Sequence, residues 1–195
     1  GVGTYNVELI RLLVEAGHQV VLVTKWHEGT AQVDQDHGVT IYRFKPVNEI
    51  SGMSAWTDRD LYTNEMIHLR SYTGVYARKV ADNLPLLHEK HRFDIILSQD
   101  VEAPMYLMQT RRMLFNTLHD VPVVIFVHSP HNQCEFYNDS AMYSRWQYHR
   151  IFYETQSIAM ADGLIAASDF MKRHIMDDLG CPADSLAVIP CPMGK

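Results

Sequence analysis

Apolar residues recur along the chain with a spacing that changes from helical to strand-like and back. Over residues 4–16 they lie three and four positions apart, which predicts an amphipathic helix ended by Gly17. Residues 19–24 form a short run rich in valine, typical of a strand buried on both faces. Residues 39–44 alternate apolar and polar positions, which predicts a strand near a sheet edge.

The same alternation continues through the rest of the chain. It predicts strands at 93–98, 122–127, 163–167 and 186–190, helices at 60–80, 103–118, 142–160 and 168–179, and loops at 45–59 and 128–140. Pro85 is expected to break the helix that starts near residue 60, and Ser168 is placed as an N-cap. Apolar strands separated by helices predict an α/β fold with a doubly wound, Rossmann-like parallel sheet.

This pattern predicts a single domain over residues 1–190, with residues 191–195 opening a linker because Pro190 and Pro192 prevent a helix or central strand from continuing there. A helix that opens on a glycine turn normally follows a first strand. We therefore expect that strand to precede Gly1 in a longer chain.

Composition narrows the class of protein. The 195 residues are 47% hydrophobic and 21% charged, which excludes a disordered chain and a coiled coil. The net charge is −6 and no basic cluster exceeds Arg111-Arg112, which argues against nucleic-acid binding. No leader pattern or membrane-length apolar stretch is visible, and the three cysteines are widely spaced. These features predict a soluble cytoplasmic domain.

Candidate binding residues are sought at the carboxyl ends of the predicted strands, where open parallel sheets bind ligands. His128 lies just beyond the strand at 122–127, where an imidazole can hydrogen-bond a ligand; the alternative is a structural histidine. Asp100 follows the strand at 93–98, where a carboxylate can accept hydrogen bonds from a polyol. Its alternative is a cap for the helix starting near Ala103.

Two further features point to anion binding. Gly1 and Gly3 lie in a turn that opens a helix, whose unpaired first amides favour a diphosphate; the alternative is a cloning remnant and a simple turn. Arg150 and Glu154 lie four residues apart on a predicted helix. An ion pair between them and anion binding by Arg150 both fit this spacing.

Other kinds of site find little support. His128, His131, Cys134 and Glu135 have irregular spacing without a second cluster, so no metal site is expected. Asn6 occupies the third glycine position of a dinucleotide-binding turn. From the residues alone, the prediction is a ligand-binding α/β domain.

Several ordered segments together resemble a known family. GVGTYNVELIRLLVEAGHQVVLVT, VPVVIFVHSPH, RIFYETQSIAMADGLIAASDFMKRHI and LAVIPCPMG are similar to segments of the large retaining glycosyltransferase family four, also called group 1. The resemblance covers most of the chain apart from about residues 29–92. The chain departs from the family at Gln99, where a histidine is frequent, and at Cys191, where the hinge usually has asparagine.

The resemblance implies a GT-B fold of two Rossmann-like domains, of which this chain is the N-terminal, acceptor-side half. It implies hexosyl transfer with retention from a nucleotide-sugar donor to a glycan, lipid or small-molecule acceptor, without a metal or other cofactor. Gly1 and Gly3 would approach the donor diphosphate, His128 would lie at the reaction centre, and Arg150 would bind an acceptor phosphate. The glycine turn and His128 would then face one gap.

The resemblance also implies a C-terminal donor-binding domain as the missing partner, so the chain alone is expected to be inactive. Family members often work at the cytoplasmic membrane face, which implies peripheral membrane contact, although Arg111-Arg112 is weakly basic. Two alternatives stay open. One is the nucleotide-binding domain of another enzyme, disfavoured by Asn6 and by Thr24-Lys25. The other is a non-catalytic interaction module that uses residues 29–92.

Overall fold

A computed structural model describes residues 2–44, 72–139 and 145–192 of the chain. It divides into two compact units, one of residues 1–62 and 191–195 and the other of residues 63–190. The described elements of the first unit are α1 (Val2–Glu15), β1 (Val20–Lys25), β2 (Val33–Asp36) and β3 (Val39–Phe44). Those of the second are α2 (Tyr72–His91), β4 (Ile96–Gln99), α3 (Tyr106–Phe115), β5 (Val123–Val127), α4 (His131–Tyr137), α5 (Arg145–Ala159), β6 (Gly163–Ala166), α6 (Asp169–Asp177) and β7 (Leu186–Val188).

Helix α1 ends as its sequence predicts. Gly17 has φ 88°, a conformation that a residue without a Cβ adopts without strain. Its amide donates to the carbonyl oxygen of Val14 at 2.9 Å, and the amide of His18 donates to that of Leu13 at 3.0 Å. These bonds satisfy carbonyl groups of the last helical turn, so the predicted cap is confirmed.

The sheet of the first unit has the order β1-β3-β2, with β1 parallel and β2 antiparallel to β3. A two-residue turn, His37-Gly38, joins β2 to β3 with φ of 44° and 83°, the signs of a type I′ hairpin turn. β3 lies beside the polar edge strand β2, which agrees with the prediction of a strand near a sheet edge. The prediction that β1 is buried on both faces is wrong, since every residue of β1 is partly exposed.

The second unit contains a four-stranded sheet in the order β4-β5-β6-β7, in which all strands are parallel. Its interior is formed by apolar side chains of the strands and of the helices between them, among them Val75, Met108, Val123, Ile125, Val127, Ile158 and Ile175. The predicted Rossmann-like α/β fold is therefore confirmed. Ser168 caps α6, because its hydroxyl accepts the Met171 amide at 3.2 Å.

Some predictions differ from the structure or lie outside it. The segment 128–140 was expected to be a loop, but α4 occupies His131–Tyr137. The predicted loop 45–59 and the predicted helix up to residue 71 lie outside the described residues. The domain boundary at residue 190 stays a prediction.

No helix in the described ranges has the length and apolar character needed to cross a membrane.

Helix α2 runs through Pro85 without interruption, so the predicted break is wrong. Proline has no amide hydrogen, and its position in a helix therefore leaves the carbonyl four residues earlier without its usual donor. That carbonyl belongs to the buried Ala81, and the guanidinium of Arg111 on α3 donates to it at 2.9 Å. Arg111 also pairs with Asp82. A side chain from the neighbouring helix thus replaces the hydrogen bond that Pro85 removes.

This replacement predicts an energetic coupling between Arg111 and Pro85. We expect Arg111→Met to lower the free energy of unfolding by about 1 to 2 kcal/mol, because it leaves a buried carbonyl unpaired. In a Pro85→Ala background the loss should be clearly smaller, since the alanine amide can reach the Ala81 carbonyl. Urea unfolding of the four proteins of the double-mutant cycle measures this coupling. Equal losses in both backgrounds would contradict it.

Candidate functional site

The carboxyl ends of β4 and β5 lie side by side, because the two strands are parallel neighbours with Gln99 opposite Phe126. His128 is the first residue beyond β5, and it shares the sheet face of Phe126 because side chains two apart in an extended segment point the same way. Nε2 of His128 is hydrogen-bonded to Oε1 of Gln99. This hydrogen bond links the predicted catalytic histidine to Gln99, where the resemblance leads one to expect a histidine.

The imidazole of His128 is held by a second contact. Its ring lies 4.3 Å from that of Phe126, measured between centroids, with an angle of 36° between the ring planes. The side chain is partly buried, and burial lowers the pKa of His128 to about 4. The ring is therefore neutral near pH 7, and it can exchange hydrogen bonds with a ligand without presenting a positive charge.

Asp100 lies directly after β4 and has 0% exposure. Its Oδ2 accepts the Ser129 amide at 3.1 Å. Burial raises the pKa of Asp100, and the nearby backbone amides of His128 and Val101 oppose that shift. Oδ1 has no hydrogen-bond partner. Asp100 therefore fixes the segment that follows β5 at Ser129, the residue after the histidine. Because this side chain has no exposed surface here, its predicted contact with an acceptor stays a prediction.

The alternative role of Asp100, a cap for a helix starting near Ala103, is wrong. Helix α3 begins at Tyr106, and its N-cap residue is Met105.

Glu154 on α5 is a second buried carboxylate, with 1% of its surface exposed. Its Oε1 accepts the Glu102 amide at 3.0 Å, and its Oε2 accepts the His131 amide at 2.8 Å. Burial raises the pKa of Glu154, although these two amides and Arg150 oppose the shift. Glu154 thus connects the segment after β4 to the first turn of α4.

Arg150 lies one turn before Glu154 on α5, with its Nε 3.4 Å from Glu154 Oε1. The ion pair that the i, i+4 spacing predicts is therefore present. The Arg150 side chain keeps 15% of its surface exposed. Its predicted contact with an acceptor phosphate stays a prediction.

The predicted donor-phosphate residues lie in the other unit. Helix α1 begins at Val2, so Gly3 is part of the first helical turn and not of a turn before it. Gly3 is exposed, and a Cβ added there would meet no atom within 4 Å. Gly1 lies outside the described residues. The expectation that the glycine turn and His128 face one gap stays a prediction.

Within the parts of the chain that the structure describes, no three histidine, cysteine, aspartate or glutamate side chains lie close enough to hold a metal ion. Three members of the irregular cluster considered from the sequence lie on α4, namely His131, Cys134 and Glu135. The thiol of Cys134 lies 3.6 Å from the Ser129 carbonyl oxygen, within hydrogen-bond reach of it.

Sequence reasoning missed two parts of this site. Gln99 stood out only as a departure from the family pattern, and Glu154 only as a partner for Arg150. The position of Gln99 at a strand end was a usable signal, because neighbouring parallel strands bring their carboxyl ends together. The capture of two loop amides by Glu154 has no comparable signal, since its partners are distant in sequence.

Asp100, which follows Gln99 in the chain, and His128, which is hydrogen-bonded to Gln99, predict opposite pH dependences of stability. Burial raises the pKa of Asp100 from 3.8 to about 6, so the folded state holds this proton more tightly and Asp100 lowers stability as pH rises through that range. The pKa of His128 falls from 6.5 to about 4, so His128 raises stability as pH rises through that range.

Asp100→Asn keeps one acceptor oxygen but has no proton to bind. We therefore expect its free energy of unfolding to rise relative to that of wild type as the pH rises. Between about pH 4 and about pH 7 the difference should change by on the order of 2 to 3 kcal/mol. Urea unfolding across this range measures it. Stability curves that run parallel for the two proteins would contradict the buried, proton-binding state of Asp100.

Comparison with known proteins agrees with this arrangement at the level of the family. Residues 1–193 match the sequence model of Glycosyltransferase Family 4. No curated protein shows significant similarity to the chain. Because the match extends over nearly the whole sequence and the parallel sheet and its strand-end histidine are present, the chain belongs to glycosyltransferase family 4.

Proposed function

We propose that the chain is the acceptor-binding N-terminal domain of a retaining glycosyltransferase. In this proposal the enzyme moves a hexosyl group from a nucleotide-sugar to a glycan, lipid or small-molecule acceptor. Family membership supports sugar transfer in general. The observation that carries the finer proposal is the neutral imidazole of His128 at the adjoining ends of β4 and β5, held by Gln99 and Phe126. A dehydrogenase domain is disfavoured, because that class needs an acidic residue at the end of its second strand, where Thr24-Lys25 stands in this chain.

The proposed role of His128 is to hydrogen-bond a hydroxyl of the reacting sugar or acceptor. A neutral, partly desolvated ring suits an uncharged polyol, because it orients a hydroxyl without requiring a counter-ion. The buried carboxylates Asp100 and Glu154 hold backbone amides of the surrounding loops. Catalysis would then rest on positioning the reactants and on stabilising the leaving diphosphate, without a metal ion or other cofactor.

The other binding groups follow from the same proposal. Gly1 and Gly3 would let the donor diphosphate approach the first amides of α1, which have no partner within the helix. Arg150 would meet the phosphate of an acidic acceptor, where its guanidinium and the buried Glu154 keep each other in place. A donor-binding domain would complete the cleft, at the cytoplasmic membrane face if the acceptor is a lipid.

The test is a titration of the ¹⁵N-labelled 195-residue chain with UDP-glucose, GDP-mannose, inorganic pyrophosphate, glucose and glycerol 3-phosphate, followed by NMR. We expect pyrophosphate to shift the amides of Gly3 and Thr4, and a hydroxyl-bearing probe to shift the side-chain signals of His128 and Gln99. The absence of shifts at both places with every probe at millimolar concentration would overturn the proposal. Sustained sugar transfer by the chain alone would overturn its two-domain form.

A further inference from the structure

The contact between Gln99 and His128 determines more than the position of the ring. An amide oxygen has lone pairs and no hydrogen, so it can only accept a hydrogen bond. Because Oε1 of Gln99 faces Nε2 of His128, the hydrogen bond between them forms only when that nitrogen carries the proton. In a neutral imidazole the second nitrogen, Nδ1, then holds the lone pair and can only accept.

The rest of the surroundings keeps the ring in this orientation. The Phe126 ring lies against one face of the imidazole. The buried carboxylate of Asp100, the residue next to Gln99 in the chain, accepts the backbone amide of Ser129, the residue next to His128. Gln99 and His128 are thus held from two directions, by the pairing of β4 with β5 and by Asp100, so the geometry between amide and imidazole is built into the sheet.

We propose that Gln99 is a positioning residue that keeps His128 in the Nε2–H tautomer and makes Nδ1 the atom that accepts a hydrogen bond from a sugar hydroxyl. The part about the hydroxyl rests on the proposed function, whereas the tautomer is a property of the chain by itself. The proposal assigns a direction to the hydrogen bond: the substrate hydroxyl donates and His128 accepts. A hydroxyl bound in this way keeps its oxygen lone pairs free, as an attacking acceptor oxygen requires.

The tautomer is measured directly by long-range ¹H–¹⁵N correlation spectra of the histidine side chains in the full 195-residue chain near pH 7. The His128 signals are assigned by their loss in His128→Gln. We expect wild type to show a protonated Nε2 and an unprotonated Nδ1. In Gln99→Met, which keeps the length of the side chain and removes the acceptor, both tautomers should appear.

Two further variants separate a specific hydrogen bond from a general loss of structure. Gln99→Glu retains an acceptor oxygen, so it should restore the single tautomer and raise the pH at which His128 titrates, because a carboxylate favours the charged ring. Gln35→Met, a change on the exposed strand β2, should leave the His128 signals as in wild type. A protonated Nδ1 in wild type, or one unchanged tautomer in Gln99→Met, would overturn the proposal.

Activity gives a second readout in an enzyme that joins this chain to its donor-binding domain. We expect Gln99→Met to lower kcat for transfer about tenfold with little change in the donor KM, and Gln99→Glu to recover most of the loss. Unchanged kcat in Gln99→Met alongside a mixed tautomer would overturn the link to catalysis. If wild type shows the expected tautomer but neither transfers sugar nor binds any hydroxyl-bearing probe, the proposed function fails and the assignment of the proton by Gln99 stands.

Discussion

Replacing His128 with alanine is expected to lower kcat/KM for sugar transfer about 100-fold in an enzyme that contains this chain and its donor-binding domain. The imidazole is the polar side chain that the ends of β4 and β5 present together with Gln99, and its loss removes the hydrogen bond proposed for the reacting hydroxyl. Losses of about this size are typical when one positioned hydrogen-bonding or acid–base group is removed from a reaction centre.

The control for this substitution is His119→Ala. His119 is another histidine of the same unit, with 53% of its side chain exposed and Asp120 as its partner. We expect it to leave kcat/KM unchanged. Thermal unfolding of both variants checks that the fold is retained. Transfer by His128→Ala at more than a third of the wild-type rate would refute the assignment of His128 to the reaction centre.

Glu154→Ala is expected to have the largest effect on stability, a loss of about 3 kcal/mol in the free energy of unfolding. The substitution leaves the amides of Glu102 and His131 without their acceptor and removes the partner of Arg150. It also opens a cavity where a nearly fully buried side chain was. Glu154→Gln keeps one acceptor oxygen, so its loss should be about half as large. Urea unfolding at neutral pH measures both.

The chain offers a matched control for burial. Arg11 and Glu15 form the same i, i+4 pair on α1, but their side chains are 48% and 57% exposed. Glu15→Ala should produce no measurable change, because exposed ion pairs contribute little to stability. A loss for Glu154→Ala no larger than that for Glu15→Ala would show that the buried carboxylate does not anchor the loops around the site.

The helix caps and the β2–β3 hairpin differ in how well the sequence predicts them. The caps formed by Gly17 and Ser168 depend on neighbours a few residues away, and both were predictable. The hairpin of β2 and β3 was missed because β2 is short and polar, although Gly38 carries the positive φ that a type I′ turn requires.

Pro85 shows the limit of local rules. Taken alone, a proline inside a helix predicts a break, because it removes one backbone hydrogen bond. Whether the helix continues depends on what satisfies the carbonyl that the proline leaves open. Here that group is Arg111, which comes from another helix and has no sequence relation to Pro85.

By itself the sequence determined the order of helices and strands, the parallel α/β class, the resemblance to family 4 and the strand-end location of His128. These properties are encoded in residue spacing and in short ordered motifs. Tertiary structure alone decided which groups meet there. Gln99 and His128 are 29 residues apart, and Glu102 and Glu154 are 52 residues apart. Such pairs are brought together by strand register and helix packing, to which every core residue contributes and which no local pattern contains.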